Sequence, residues 1–340
     1  MNLRTNLTVA SILALVLVWG CAEAPDTDAP AAADPPPAET EIYQDAPEWL
    51  AALAPHRALD QPQAVSLFGD ELYAQEDTTG QIAEADAALL ADLENVERLI
   101  EAGRVRRNFW QYRQAMELYT RAAELAPEDW RPYRFRGHRH MSLRQFDQAV
   151  DDLERARELA PMNWDVAYHL ALAYFYAGRF DAAADEYLRC LELADDLEAQ
   201  AADSDAFRSC SANDDDPESL VAMKEWAVRT LMRAGRHDEA EALLAALPDD
   251  LDIQTNVAYH HNLLVSRGEM DRQEVLNPGP DGPYRRETVG YGVANLMLVE
   301  GDTAGAVELL RELMDDPWWP GFGRIATEVE LARLEAARRE

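Results

Sequence analysis

Between residues 96 and 197 one chemical pattern returns every 34 residues. Counted from Val96, Trp130 and Trp164, the eighth positions are Gly103, Gly137 and Ala171, the twentieth Ala115, Ala149 and Ala183, and the twenty-seventh Ala122, Ala156 and Cys190. Small side chains at fixed offsets let two antiparallel helices approach closely, where larger ones would push the axes apart. Large side chains recur where such a hairpin needs filling: Tyr112, Phe146 and Phe180 at position 17, and Tyr119, Leu153 and Tyr187 at position 24. Pro127 and Pro161 stop the second helix of the first two units, and Asp195 stands in the third. Units of this kind bury their apolar faces by stacking on one another, which predicts an all-α solenoid.

These residues resemble the tetratricopeptide repeat over three contiguous units. Degenerate units follow, with interhelix turns at Gly235–Ala240, Arg267–Met270 and Gly301–Ala306. The resemblance implies a right-handed superhelix of antiparallel helix pairs, with an N-terminal helical segment before it and a C-terminal capping helix after it. The expected map is three regular units over 96–197, an acidic insertion at 198–220, degenerate units over 221–318 and a charged amphipathic cap at 319–340. Residues 45–95 form the N-terminal helical segment. Within these, Ser66–Tyr73 and Thr288–Val293 look like segments of bacterial exported repeat proteins.

The first 20 residues carry one basic residue, Arg4, and an apolar run from Leu7 to Val18, too short to span a bilayer as a helix. Val18-Trp19-Gly20-Cys21 resembles the lipobox of bacterial lipoproteins, which implies removal of 1–20 and lipidation of Cys21. Residue 22 is Ala and not Asp, so the resemblance implies an envelope location at the outer membrane, facing the periplasm. The Pro-, Ala- and Asp-rich stretch 21–44 then reads as an extended tether. Export exposes the remaining cysteines to an oxidising compartment, so Cys190 and Cys210 are expected to pair, the alternative being a free thiol at the small position 27.

Charge narrows the function. With 64 acidic and 31 basic residues the chain carries −33, which disfavours nucleic acid and leaves the lipid anchor as the only expected membrane contact. Of the basic residues only Lys224 is not arginine. Against this background, residues 104–144 hold ten Arg and four acids, a net of +6. In the resembled family, positions 2, 5, 9, 12 and 13 of each first helix line the concave face. That assigns to a ligand groove Arg104, Arg107, Arg131, Arg134, His138, Tyr168 and Tyr176, with Arg229, Asn262 and Tyr291 from later units. Arg106, Arg136 and His140 fall at positions that are normally apolar. Such residues are either paired internally with acids or part of an anion-binding groove, and the sequence leaves both open.

Chemistry is otherwise sparse: no nucleophile elbow, zinc-protease pair, phosphate loop or Cys-x-x-Cys is present. His138 with His140, and His260 with His261, cannot place two imidazoles on one helix face, and Asp214–Asp216 lacks the spacing of a calcium loop. No cofactor or metal is expected. The favoured function is a non-catalytic scaffold gripping a protein or peptide with exposed carboxylates. The alternatives are a binding protein for a small anionic solute, with Tyr168, Tyr176 and Arg134 closing a pocket, and an enzyme using His138 or His261 as general base.

Overall fold

The computed structural model describes residues 39–194, 209–210, 216–277 and 286–339. The expected signal peptide, Cys21, the tether up to residue 38, most of the acidic insertion and the Pro-Gly loop at 278–285 lie outside the described residues. The described chain is helical hairpin after helical hairpin: α4 (Val96–Asn108) with α5 (Tyr112–Leu125), α6 (Trp130–Ser142) with α7 (Phe146–Leu159), and α8 (Trp164–Tyr176) with α9 (Phe180–Ala194). Next come α10 (Pro217–Arg233) with α11 (His237–Ala245), α12 (Val257–Arg267) with α13 (Arg272–Leu276), and α14 (Arg286–Val299) with α15 (Thr303–Leu313), before a final helix, α16 (Phe322–Ala337).

Local chemistry explains the period. Asn95, Asp129 and Asn163, also 34 residues apart, each cap a first helix by accepting a backbone N–H, from Arg98, Arg131 and Val166 respectively. A Cβ on Gly103 would sit 2.4 Å from the Tyr119 ring, and one on Gly137 would sit 2.6 Å from Leu153 Cγ. The small residue at position 8 is therefore the socket for the large residue at position 24. Each interhelix turn also holds one residue in the left-handed region: Trp110, Arg144, Gly178, Gly235, Gly268 and Gly301. That conformation reverses the chain within a linker of three residues, or four at Gly268.

The N-terminal segment departs from expectation in two ways. Glu39–Gln44 forms a short helix, α1, rather than the end of a tether, because Ile42 is buried and the Tyr43 hydroxyl donates to Asp86. Residues 45–95 contain α2 (Glu48–Ala51), a 3-10 turn at Pro55–Ala58 and α3 (Gln81–Leu90), and also an antiparallel hairpin, β1 (Ala64–Val65) with β2 (Glu71–Leu72). Ala64 and Leu72 turn inward against Trp110, Tyr112, Leu143 and Trp319. Cys190 in α9 is bridged to Cys210 with a Cα separation of 5.1 Å. Since the Cys210 N–H donates to Met162 O at 2.8 Å, the bridge holds Cys210, within the insertion, at the corner between α7 and α8.

Helix α16 is the largest difference from the sequence expectation. It packs on α14 and α15 as the next helix of the array, but Gly323 through Leu331 are all buried, so it is enclosed rather than a solvent-facing cap. The first helices of earlier units converge on it: the Tyr176 hydroxyl donates to Phe322 O at 2.9 Å, and Arg333 donates to the carbonyls of Phe175 and Tyr176 at 3.0 and 2.6 Å. Its charges tolerate burial because each has a partner. Glu328 accepts from Arg144 (2.7 Å), Arg324 (3.1 Å) and the Leu67 N–H (2.6 Å), and Glu330 accepts from Arg233 (2.6 Å).

Candidate functional site

Where the end of the array meets its beginning, a cleft of about 530 Å³ remains. Arg107 and Asn108 reach it from the last turn of α4, Trp110 and Tyr112 from the turn that follows, and His138 and Arg139 from α6. The opposite wall is Thr255 to Tyr259 at the start of α12, Glu287 and Thr288 in α14, and Trp318 to Phe322 just ahead of and entering α16. The walls are rigid. Trp110 meets Trp318 and Trp319 edge-on, with ring centroids 5.1 and 5.7 Å apart, and Tyr112 meets Trp319 at 5.3 Å.

The electrostatics separate two arginines from the rest of their segment. Among the ten of 104–144, Arg104 pairs with Glu101, Arg106 with Asp86, Arg131 with Glu97 and Asp129, Arg134 with Asp165, Arg136 with Asp152 and Arg144 with Glu328. Arg113 bonds the side chain and backbone of Gln63 through its own N–H and Nε, and Arg121 lies 3.8 Å from the Trp49 ring centroid. Arg107 and Arg139 have no carboxylate partner among the described residues, and both line the cleft. Arg139 is only 5% exposed, with its guanidinium 4.5 Å from the Tyr112 ring centroid. Burial lowers the Arg139 guanidinium from its ordinary range, with the Tyr112 phenol opposing that shift.

His138, which also lines the cleft, makes tilted ring contacts 4.5 Å from the His169 ring and 5.1 Å from Phe322. Burial, then the nearby Arg139 charge, hold it well below the usual histidine range, so it is neutral at pH 7, and its Nδ1 is buried without a hydrogen-bond partner. A second cleft of about 440 Å³ also contains two arginines, but Arg272 pairs with Glu300 and Arg286 with Glu312.

Residues 165–197, which span α8 and α9, match the model of the tetratricopeptide repeat. That segment carries a tetratricopeptide repeat. Among solved structures, the crystal structure of MamA aligns with 49% of this chain and 78% of its own at 20% identity, with a TM-score of 0.39. YrrB, described as a TPR protein with an unusual peptide-binding site, aligns over 75% and 97% at 17% identity and a TM-score of 0.39. The TPR domain of P58(IPK) aligns over 76% and 71% at 16% identity and 0.28. No curated protein matches the sequence.

In tetratricopeptide numbering, the positions expected on the concave face scatter to three fates. Arg107 and His138 line the cleft. Arg104, Arg131 and Arg134 are ion-paired, Arg134 while 5% exposed and within 3.3 Å of the His169 ring. Tyr168, Tyr176, Arg229, Asn262 and Tyr291 are buried, because the chain's own C-terminal segment and neighbouring first helices cover the face they occupy. Phe322 lies 6.2 Å from the Tyr168 ring, Arg229 pairs with Glu225, and Asn262 donates to the same carboxylate at 3.2 Å. The residues off the apolar pattern are internal partners: Arg106 and Asp86 are both fully buried, and His140 and Arg136 share Asp152.

Most of the cleft escapes a reading of concave positions, including Arg139 at position 10, Trp110 and Tyr112 at the first interhelix turn, and Trp318 and Phe322 in the closing segment. Nothing local separates Arg139 from Arg106, Arg134 or Arg136. All four lack an acid one helical turn away, and the last three find theirs 20, 31 and 16 residues distant.

Proposed function

We propose that the protein is a non-catalytic interaction scaffold whose cleft receives a carboxylate from an acidic partner protein or peptide. One observation carries the reading: among the described residues Arg139 is a buried cation without a carboxylate counter-ion, beside Arg107, in a chain of net charge −33. A buried unpaired charge is costly, and a bound carboxylate would offset that cost with charge-assisted hydrogen bonds. Concave focusing lets two arginines attract an anion despite the repulsive total. A general-base role for His138 is poorly supported, because burial and the charges of Arg139, Arg134 and Arg107 oppose its protonation and no carboxylate among the described residues orients it. The location proposed with it is the cell envelope at the outer membrane, tethered through lipid on Cys21; intact mass of the membrane-fraction protein tests that part, and a mature form without acyl mass refutes it.

The binding claim is tested by capture from detergent-solubilised envelopes with wild-type and Arg107→Glu protein as paired baits. Partners should be retained by wild type, released as salt rises, and lost from the variant at unchanged helicity. Equal retention by both baits would show that the cleft is not the contact.

A further inference from the structure

The cleft is much larger than a bare carboxylate, and five of the sixteen residues that line it are Trp, Tyr or Phe. Trp110, Tyr112, Trp318 and Phe322 present ring surface to it, and the first two are held in place by a cluster that includes Ala64, Leu72, Leu143 and Trp319. Arg139 lies against the Tyr112 ring, so a carboxylate bound to this guanidinium brings whatever carries it onto aromatic surface. Pockets of about 300 to 1,000 Å³ lined by rings with a few placed polar groups suit a ligand with an apolar body and a polar end. Preformed walls also reduce the ordering cost of binding.

We infer that the cleft recognises a carboxylate carried on a flat apolar body, with the carboxylate between Arg107 and Arg139 and the body among Trp110, Tyr112, Trp318 and Phe322. The inference rests on the anion-binding reading above and narrows it. Two sources share this chemistry: a free aryl carboxylic acid, and an acidic residue beside an aromatic one in a partner peptide. One carboxylate, Glu287, sits on the far wall, 2% exposed and accepting from the Thr288 hydroxyl at 2.8 Å. It disfavours a second acidic group at that end of the ligand.

The test is calorimetric titration of the full-length protein with 1-naphthoate, its neutral counterpart 1-naphthamide, acetate, an acetylated tetra-aspartate peptide and an acetylated peptide alternating aspartate with phenylalanine. Tryptophan fluorescence gives a second readout, since Trp110 and Trp318 line the cleft. At least one of 1-naphthoate and the alternating peptide should bind about tenfold more tightly than 1-naphthamide, acetate and tetra-aspartate. Arg107→Gln should weaken that binding about tenfold at unchanged melting, and Trp318→Leu should weaken it without altering its salt dependence. Naphthoate alone identifies a free acid as the source, and the alternating peptide alone identifies a partner chain. Binding of tetra-aspartate with neither aromatic probe overturns this inference and leaves the anion site standing. Naphthamide binding as well as naphthoate overturns the anion site itself, and no binding by any probe overturns both.

Discussion

Gly178 turns the chain between α8 and α9 at φ 78°, and the equivalent residues of the two preceding units are Trp110 at 57° and Arg144 at 63°. A non-glycine residue there costs on the order of 1 kcal/mol or more. Both side chains reach across the molecule in compensation: Trp110 to Trp318 and Trp319, and Arg144 to Glu328 at 2.7 Å and to Trp319 O at 3.1 Å. Arg144→Gly should therefore destabilise despite relieving the backbone, by roughly 3 kcal/mol, since it leaves Glu328 buried with less compensation. Urea unfolding measures this, and a variant as stable as wild type would show that the cross-molecule pair contributes nothing. Asp86→Ala should cost about 3–5 kcal/mol for the same reason, as Arg106 and Asp86 are both fully buried. Replacing both partners by apolar residues of similar size should recover much of the loss. At this scale the sockets at Gly103 and Gly137 were legible because their partners recur with the period, whereas the partners of Arg106, Arg134, Arg136 and Arg144 were not, because each of those acids lies on a different helix.

Helix α16 reads as an amphipathic cap in sequence because Arg324, Glu328, Glu330 and Arg333 interrupt its apolar residues. Helix periodicity counts charges as solvent-facing; it has no knowledge of Arg144 and Arg233 waiting on other helices. Deleting residues 322–340 should consequently lower the stability of the whole array and broaden its unfolding, not only loosen the last hairpin. Hydrogen exchange decides between these: a mere cap would leave α6, α8 and α10 protected as in the full chain. The Cys190–Cys210 bridge acts on another element. It closes a 20-residue separation, for which loop-entropy arguments give on the order of 3 kcal/mol. Unreduced, denatured protein should show neither of these two thiols free, and reduction should lower the melting temperature, with α9 and α10 losing protection first.

For the whole molecule, stability should fall on acidification in two overlapping stages. His169 is held down to about 3, chiefly by burial and then by Arg134, so the unfolded chain binds its proton more readily. Stability from that group is fully present above about pH 6.5 and is lost as pH falls toward 3. Desolvation, the largest single influence on Glu218, raises it, but the backbone N–H groups of Gln254, Thr255 and Asn256 and the Thr255 hydroxyl together hold it down to about 2, so its contribution is present above about 4.5 and is lost as pH falls toward 2. Chemical denaturation at pH 7, 5.5 and 4 should show the gap between wild type and His169→Gln narrowing with acid, while the gap to Glu218→Gln persists to pH 4. A His169→Gln gap that does not change with pH would place the acid sensitivity elsewhere.

The sequence by itself determined the repeating part of the protein: where helices begin and turn, which residues interlock within a hairpin, and that the hairpins stack. Those features depend on contacts within 34 residues or between adjacent units, so each leaves a periodic trace. Tertiary structure alone decided that the array closes on itself, that α16 fills the face expected to be an open groove, and that most of its arginines are neutralised internally. Those outcomes join residues up to 261 positions apart through one-off pairings such as Leu67 and Arg144 with Glu328. A contact made once between distant segments has no period, and its worth depends on a burial that exists only after the whole chain has folded. Arg107 and Arg139 stand out for the same reason, as the two cations of their segment that the closed molecule leaves facing a cleft.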